Sequence, residues 1–224
     1  MNFDLPKADL VETNLPEAPP RRTLGGAALM QPAVTNALTR ALFEEWARVG
    51  YGALSLEAVA RRAGVGKAAL YRRWPSKLAM VSDRLEQVGV DLAEVPDTGS
   101  LAGDVRAILK SVRRLLRHPL VRRILPDLHA EMSRSPELAR AIRERTQVAR
   151  RARAATIFRR AIARGEVSPN LDVELANDAL AGLIYWRMIV IGGRVESAYL
   201  EKLACFILAA FRSFDDGENG LPDT

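Results

Sequence analysis

The spacing of apolar residues constrains the fold of this chain more than any other feature of its sequence. From Pro32 onward they recur at intervals of three and four positions, and no segment shows the apolar–polar alternation of a half-buried strand. The first stripe ends near Gly50, and further helices are predicted near 101–117, 119–131, 136–164, 173–192 and 196–213. We therefore predict an all-α fold.

The composition is that of a globular protein and argues against a metal-binding or membrane-spanning one. The 224 residues are enough to bury a core, and the single cysteine, Cys205, suits a reducing compartment. The two histidines, His118 and His129, and one cysteine cannot furnish a structural zinc site, so we expect no metal or cofactor. The most apolar segment, 179–193, contains Arg187 and is too short to span a bilayer. We therefore expect a cytoplasmic protein without a membrane partner.

The two ends of the chain differ from its middle. Residues 1–30 hold several prolines and a Gly-Gly pair without apolar periodicity, which predicts a disordered arm. Arg21 and Arg22 of this arm are candidates for a minor-groove contact, although an inert arm is the simpler interpretation. Residues 215–224 form an acidic tail. The excess of 33 basic over 27 acidic residues permits a polyanionic partner without requiring one.

The stretch 63–74, AGVGKAALYRRW, contains GVGK, which resembles the end of a phosphate-binding loop. That loop needs a glycine where Arg61 stands and a hydroxyl where Ala68 stands, because its backbone amides surround phosphate and its hydroxyl binds magnesium. No β-branched apolar run precedes the stretch to supply the required strand. A nucleotide-binding loop is therefore excluded.

A helix-turn-helix accounts for the same residues. Ser55 is a predicted N-cap, Gly64 suits a left-handed turn, and a helix follows from about Lys67 to Trp74. On that helix Leu70 and Trp74 face inward, while small and basic residues face outward, as on a recognition helix in the major groove. A helical bundle with a solvated basic face is the alternative that these residues alone leave open. The predicted DNA-binding residues are Ser55, Lys67, Ala68, Ala69, Tyr71, Arg72, Arg73 and Lys77.

The spacing of these residues resembles the DNA-binding domain of the TetR family of bacterial repressors. The pattern A-x-x-x-G-V-x-x-x-x-L-Y-x-x-W-x-x-K, preceded by G-Y-x-x-x-S and V-A, lies within residues 32–80. Arg73 departs from the family pattern, because many members carry histidine there. The matching residues are Gly50, Tyr51, Ser55, Val59, Ala60, Ala63 (or Ala60, depending on the register), Gly64, Val65, Leu70, Tyr71, Trp74 and Lys77.

The segment 164–182, RGEVSPNLDVELANDALAG, is similar to one variety of the family's helical C-terminal domain. The resemblance implies a transcriptional regulator, typically a repressor, that binds double-stranded operator DNA as a homodimer and is released by a small-molecule effector. It implies a three-helix helix-turn-helix domain at 31–77 and a helical effector-binding and dimerisation domain at 78–214. By the same resemblance, the protein is not an enzyme.

The second half of the chain supplies candidates for dimerisation and effector binding. Two of its helices carry apolar stripes that suit a four-helix interface between two chains, and packing of both stripes within one chain is the alternative. The predicted interface residues are Leu175, Ala179, Gly182, Leu183, Leu200, Leu203, Ala204, Ile207 and Phe211. Small-molecule pockets are usually lined by large apolar side chains with a few polar groups. On this basis the predicted ligand-binding residues are Leu128, Met132, Phe158, Ile162, Tyr185, Trp186 and Met188. Packing of the same residues in an ordinary core is the alternative.

Residues 140–164 contain nine arginines against one acid, Glu144, and the arginines surround the predicted helix. A solvated helix is the default interpretation, with an acidic effector or a second nucleic-acid contact as the alternative. Two rival functions are a DNA-coating protein that ignores sequence and an enzyme in the second half. No nucleophile–base pair, metal cluster or paired carboxylate supports the enzyme.

Overall fold

The computed structural model describes residues 32–92, 95–144 and 148–212. No strand occurs in these three ranges, which confirms the predicted all-α fold. The predicted arm at 1–30 and the acidic tail at 215–224 lie outside the described residues. The helices are α1 Pro32–Ala53, α2 Leu56–Arg62, α3 Lys67–Arg73, α4 Lys77–Leu92, α5 Leu101–Arg117, α6 Pro119–Arg134, α7 Pro136–Ile142, α8 Val148–Ala163, α9 Val173–Tyr185 and α10 Ser197–Arg212.

Serine side chains set the starts of several helices. Ser55, Ser100 and Ser135 each accept a hydrogen bond from a backbone amide in the first turn of α2, α5 and α7. Ser76 does the same for α4, where its Oγ lies 3.0 Å from the amide nitrogen of Ala79. These four caps satisfy amides that a helix leaves without partners, so the sequence fixes where each helix begins.

Two helices differ from their predicted extents. The single helix predicted over 136–164 is divided, because α7 ends at Ile142 and α8 begins at Val148. The two parts pack in different places: Leu138 and Ile142 lie in one core and Phe158 in another. The helix predicted over 173–192 ends as α9 at Tyr185 and continues as a π-helix over Trp186–Val190.

The buried apolar residues form two cores. The N-terminal core is built from α1 to α4, and α6 and α7 contribute Ile124, Leu128, Leu138 and Ile142 to it. The C-terminal core is built from α5, α8, α9 and α10. The predicted domain boundary after Lys77 falls at the first residue of α4, but helices from beyond that boundary complete the first core. This packing fixes the orientation of α2 and α3 against the rest of the chain.

Candidate nucleic-acid interface

The turn between α2 and α3 is a helix C-terminal motif built on glycine. Gly64 has φ 67°, and its amide donates to the carbonyl of Arg61 at 3.2 Å. The amide of Val65 donates to the carbonyl of Ala60 at 2.9 Å, so both bonds of a Schellman motif are present. Glycine enters this left-handed conformation without a Cβ clash, which confirms the turn predicted from the sequence.

Helix α3 is held to the protein through one edge. Leu70 is fully buried, and Trp74 is buried at the end of the helix, where its Nε1 donates to Oδ2 of Asp83 at 2.6 Å. Arg84 pairs with the same carboxylate and lies over the Trp74 ring. The side chains on the opposite edge face solvent: Lys67, Ala68, Tyr71, Arg72 and Arg73, with Ala69 half-buried.

Two hydroxyls of the predicted DNA-binding residues donate to one carboxylate. Tyr71 donates to Oε1 of Glu57 at 2.7 Å, and Ser55 donates to Oε2 at 2.8 Å. The bond from Tyr71, followed by that from Ser55, lowers the pKa of Glu57 to about 2. The same bond raises the pKa of Tyr71. Glu57 is therefore an anion in the middle of the predicted DNA-binding surface.

Two further predicted DNA-binding residues have partners inside the protein. Lys77 donates from Nζ to the carbonyls of Tyr51 at 2.7 Å and Gly52 at 3.1 Å, and it lies over the Tyr51 ring. Arg73 donates to Oγ1 of Thr35 at 2.8 Å and lies over Trp74. These contacts join α3 and α4 to both ends of α1.

Lys67 and Arg72 differ from the other basic residues of the predicted DNA-binding set in their contacts. Within the described ranges, neither makes a hydrogen bond or an ion pair, and both are exposed at the surface of α3. Both side chains can therefore contact a partner without breaking a hydrogen bond or an ion pair inside the protein. Arg72 also lies opposite Leu70 on the helix, so its guanidinium extends away from the core.

Sequence reasoning missed the ion pairs that hold α1 against α2. Glu45 is only 4% exposed, yet it accepts from Arg48 at 2.6 Å and from Arg62 at 3.0 Å. The Arg48 guanidinium, with a smaller contribution from Arg62, outweighs burial and lowers the pKa of Glu45. Arg62 therefore helps to hold α2 against α1.

A contact between α6 and α1 was also missed. Trp46 Nε1 and the amide of Tyr51 both donate to Oδ2 of Asp127, at 2.6 Å and 2.8 Å. Between these donors Gly50 leaves helical geometry with φ 77° and ψ 163°. A Cβ at Gly50 would lie 3.2 Å from Oδ1 of Asp127, so glycine serves both the backbone turn and the close approach. Nothing in the local pattern around Asp127 indicates a partner so distant in sequence.

Two sequence models of one family match this chain. The model described as "Bacterial regulatory proteins, tetR family" matches residues 38–83, and "Tetracyclin repressor-like, C-terminal domain" matches residues 95–206. This chain belongs to the TetR family. It is accordingly a helix-turn-helix transcriptional regulator, as its sequence predicted.

Individual relatives agree with this membership. The chain is 28% identical over 177 residues to the uncharacterized HTH-type transcriptional regulator YdeS of Bacillus subtilis, which covers 79% of this chain and 87% of YdeS. It is 29% identical over 162 residues to the DNA-binding transcriptional repressor TetR of Mycobacteroides abscessus, and the aligned region covers 72% of this chain and 84% of that repressor.

Solved structures show the same fold. The TetR family transcription regulator SCO0332 has a TM-score of 0.64 and 32% identity, covering 79% of this chain and 97% of that one. The flavonoid-responsive regulator FrrA has a TM-score of 0.63 and 24% identity, covering 81% and 96%. No helix in the described part of the chain is long and apolar enough to cross a membrane.

The predicted dimer residues of this TetR-family chain divide into two sets. One face of α10 packs on α5 of the same chain, so the chain itself covers the α10 residues that were predicted to form the dimer interface. This face consists of Leu200, Leu203, Ala204, Ile207 and Phe211, all buried. The α9 candidates are more accessible: Leu175, Gly182 and Leu183 are exposed and Ala179 is half-buried.

Large exposed apolar side chains concentrate on a surface that the sequence reasoning only partly identified. We call it the α9–α10 face, and it includes the π-helix and the opposite side of α10. Phe206, adjacent to the buried Ile207, is 65% exposed. The face comprises Leu175, Leu183, Trp186, Val190, Ile191, Tyr199 and Phe206, all at least 37% exposed.

The predicted ligand-binding residues are not brought together. Leu128 and Met132 pack in the N-terminal core, whereas Trp186 is exposed on the α9–α10 face. Tyr185 hydrogen-bonds His129 Nδ1 at 2.7 Å, and burial raises the pKa of Tyr185. The candidates that pack in the C-terminal core are Phe158, Ile162, Tyr185 and Met188. The seven residues are therefore divided among the two cores and the α9–α10 face.

Arginines of α8 and of the turn that follows it have acidic partners. Arg151 pairs with Asp178 at 2.6 Å and with Glu174 at 3.6 Å. Arg160 pairs with Asp97 at 2.5 Å, and Arg164 pairs with Glu166. Arg151 and Arg160 join α8 to neighbouring elements, and Arg164 pairs within the turn after α8, so a second polyanion-binding surface does not need to be invoked for them.

Proposed function

We propose that α3 reads a specific operator sequence from the major groove. The way α3 packs on the protein supports this proposal, because the buried residues Leu70 and Trp74 lie along one edge of the helix and its opposite edge faces solvent. The small side chains Ala68 and Ala69 allow the backbone to approach base edges. Arg72 has the fork geometry that suits guanine O6 and N7.

Phosphate contacts position a recognition helix in the groove and add affinity on any sequence. We assign this role to Lys67, Ser55, Tyr71, Arg73 and Lys77, which lie on or beside α3. Lys67 stands at the start of α3 and makes no hydrogen bond or ion pair among the described residues, although its charge helps to lower the pKa of Glu57. The other four must exchange an internal hydrogen bond for a phosphate contact.

Regulators of this family act as dimers, and we assign the dimer contact to the α9–α10 face. A patch of large apolar side chains on a monomer marks an interaction site. Pairing two copies through α9 and α10 produces a four-helix contact and a two-fold axis. The operator is then expected to contain two half-sites about one helical turn apart, or slightly more.

We further propose that the protein is a cytoplasmic repressor released by a small molecule that binds its helical C-terminal domain. The relative from Mycobacteroides abscessus is named as a repressor, and the neighbour FrrA is named as flavonoid-responsive. The first name supports repression and the second supports control by a ligand, and neither identifies the effector of this chain. A conformation that binds the effector better and DNA less well explains release.

Selection of bound duplexes from a random pool tests the proposal. Full-length protein is expected to enrich one two-fold sequence, and competition against unrelated duplex is expected to give a specificity ratio of roughly 10³ or more. Arg72→Ala is the matched variant, because it removes a base-reading group without removing a packing contact. Binding with no enrichment supports the rival, a DNA-coating protein.

A further inference from the structure

The acidic residue on the DNA-binding surface needs a function of its own. Between residues 57 and 77 Glu57 is the sole acid, and the stretch around it is strongly basic. Its carboxylate does not pair with a basic side chain by hydrogen bond. It accepts instead from Tyr71 and Ser55, which are hydroxyls assigned to phosphate.

The hydrogen-bond chemistry of these hydroxyls makes the two acceptors exclusive. A tyrosine hydroxyl has one proton to donate, and a phosphate oxygen at neutral pH can only accept. While Tyr71 donates to Oε1 of Glu57 at 2.7 Å, it has no proton left for a phosphate. The same holds for Ser55, whose Oγ donates to Oε2 and accepts from the Ala58 amide at 3.4 Å.

We propose that Glu57 is an affinity-limiting residue, whose carboxylate competes with DNA phosphate for the hydroxyls of Tyr71 and Ser55. This inference rests on the proposed function, since it requires that the surface around α3 binds DNA. Glu57 lowers affinity for every sequence alike, because phosphates do not carry sequence information. Its low pKa keeps the carboxylate ionised at any pH near neutrality, so the competition does not depend on pH there.

The size of the effect follows from charge and distance. A phosphate bound by Tyr71 lies about 6 Å from the Glu57 carboxylate, because each hydrogen bond spans about 2.7 Å. Repulsion between two unit charges at that distance in water weakens binding about threefold per protomer, or about tenfold per dimer. Glu57→Gln removes this repulsion and leaves a weaker, neutral acceptor for Tyr71.

The first experiment compares Glu57→Gln with the full-length wild type on an operator duplex and on an unrelated duplex of equal length. We expect tighter binding of both by about tenfold. Glu44→Gln is the matched control, because it removes the same charge from a partly exposed acid that pairs with Arg62 rather than with an interface hydroxyl. Weaker or unchanged binding by Glu57→Gln overturns the proposal, as does equal tightening by Glu44→Gln.

A double-mutant cycle distinguishes competition from positioning. If Glu57 competes, Tyr71→Phe weakens DNA binding more strongly in the Glu57→Gln background than in the wild type. If Glu57 only positions Tyr71, the order is reversed and the proposal fails. Both measurements can be made on an unrelated duplex. They therefore test the role of Glu57 even if the selection enriches no operator, a result that would refute sequence-specific reading alone.

Discussion

Asp127 is expected to be the most sensitive single contact between the helical domain and the helix-turn-helix. Its Oδ2 accepts from Trp46 Nε1 and from the amide of Tyr51. Asp127→Ala removes both bonds and leaves two donors without an acceptor. Trp46 is only 1% exposed, so water cannot replace the lost partner at its Nε1.

The magnitude follows from the burial of the two donors. A hydrogen bond to a charged group contributes about 1.5–3 kcal/mol, and an unsatisfied buried donor costs about 1–3 kcal/mol. The Tyr51 amide is nearer to solvent and recovers part of its loss, so we expect a total of about 2–4 kcal/mol. For a chain of this size the melting temperature falls by roughly 5–10 °C. Asp127→Asn keeps an acceptor oxygen and is expected to cost about 1 kcal/mol.

Thermal and urea unfolding of the full chain measure this loss. Glu131→Ala is the control on the same helix, because the described partner of Glu131 is the exposed Arg134 and such surface pairs contribute little. Trp46→Phe completes a double-mutant cycle with Asp127→Ala. A loss from Asp127→Ala no larger than that from Glu131→Ala refutes the two-donor contact.

Three further experiments, two of them with a matched control variant, test other parts of the structure. Phe206→Lys is expected to give a folded monomer by light scattering and circular dichroism, whereas Ile207→Lys buries a charge and unfolds the chain; a folded Ile207→Lys contradicts this assignment. Arg72→Ala is expected to relax base preference at one position per half-site, worth about 1–3 kcal/mol, and an unchanged selected sequence refutes its reading role. Gly64→Val is expected to cost about 1–2 kcal/mol in urea unfolding, but Gly66→Ala, at φ −64°, much less.

The sequence predicted the helix-turn-helix well because its determinants are local. Gly64 forms the left-handed turn, Ser55 caps α2, and Leu70 and Trp74 anchor α3 as the helical spacing indicated. Each of these features depends on residues within one or two turns of one another. Positions on a helix follow from its 3.6-residue period without knowledge of the rest of the fold.

Interactions between distant segments could not be predicted in the same way. The spacing along α10 correctly indicated an apolar stripe, but it could not show that α5 of the same chain covers it. The exposed face of α10 has fewer large apolar residues, and Phe206 gives only a weak periodic signal. The hydrogen bonds of Lys77 to the α1 carbonyls were likewise hidden, because they depend on how α4 lies against α1.

The role of α6 explains why a boundary drawn along the sequence does not separate the two cores. Ile124 and Leu128 pack in the N-terminal core, while Val121 and Leu125 pack against the C-terminal core. Because these pairs lie on adjoining strips of the helix surface, α6 packs against both cores. Any shift of α6 caused by an effector in the C-terminal core therefore moves Asp127, and with it the end of α1 that leads into Ser55 and the recognition helix. We therefore expect release from DNA to need no change within α3 itself, only a change in where α6 holds α1.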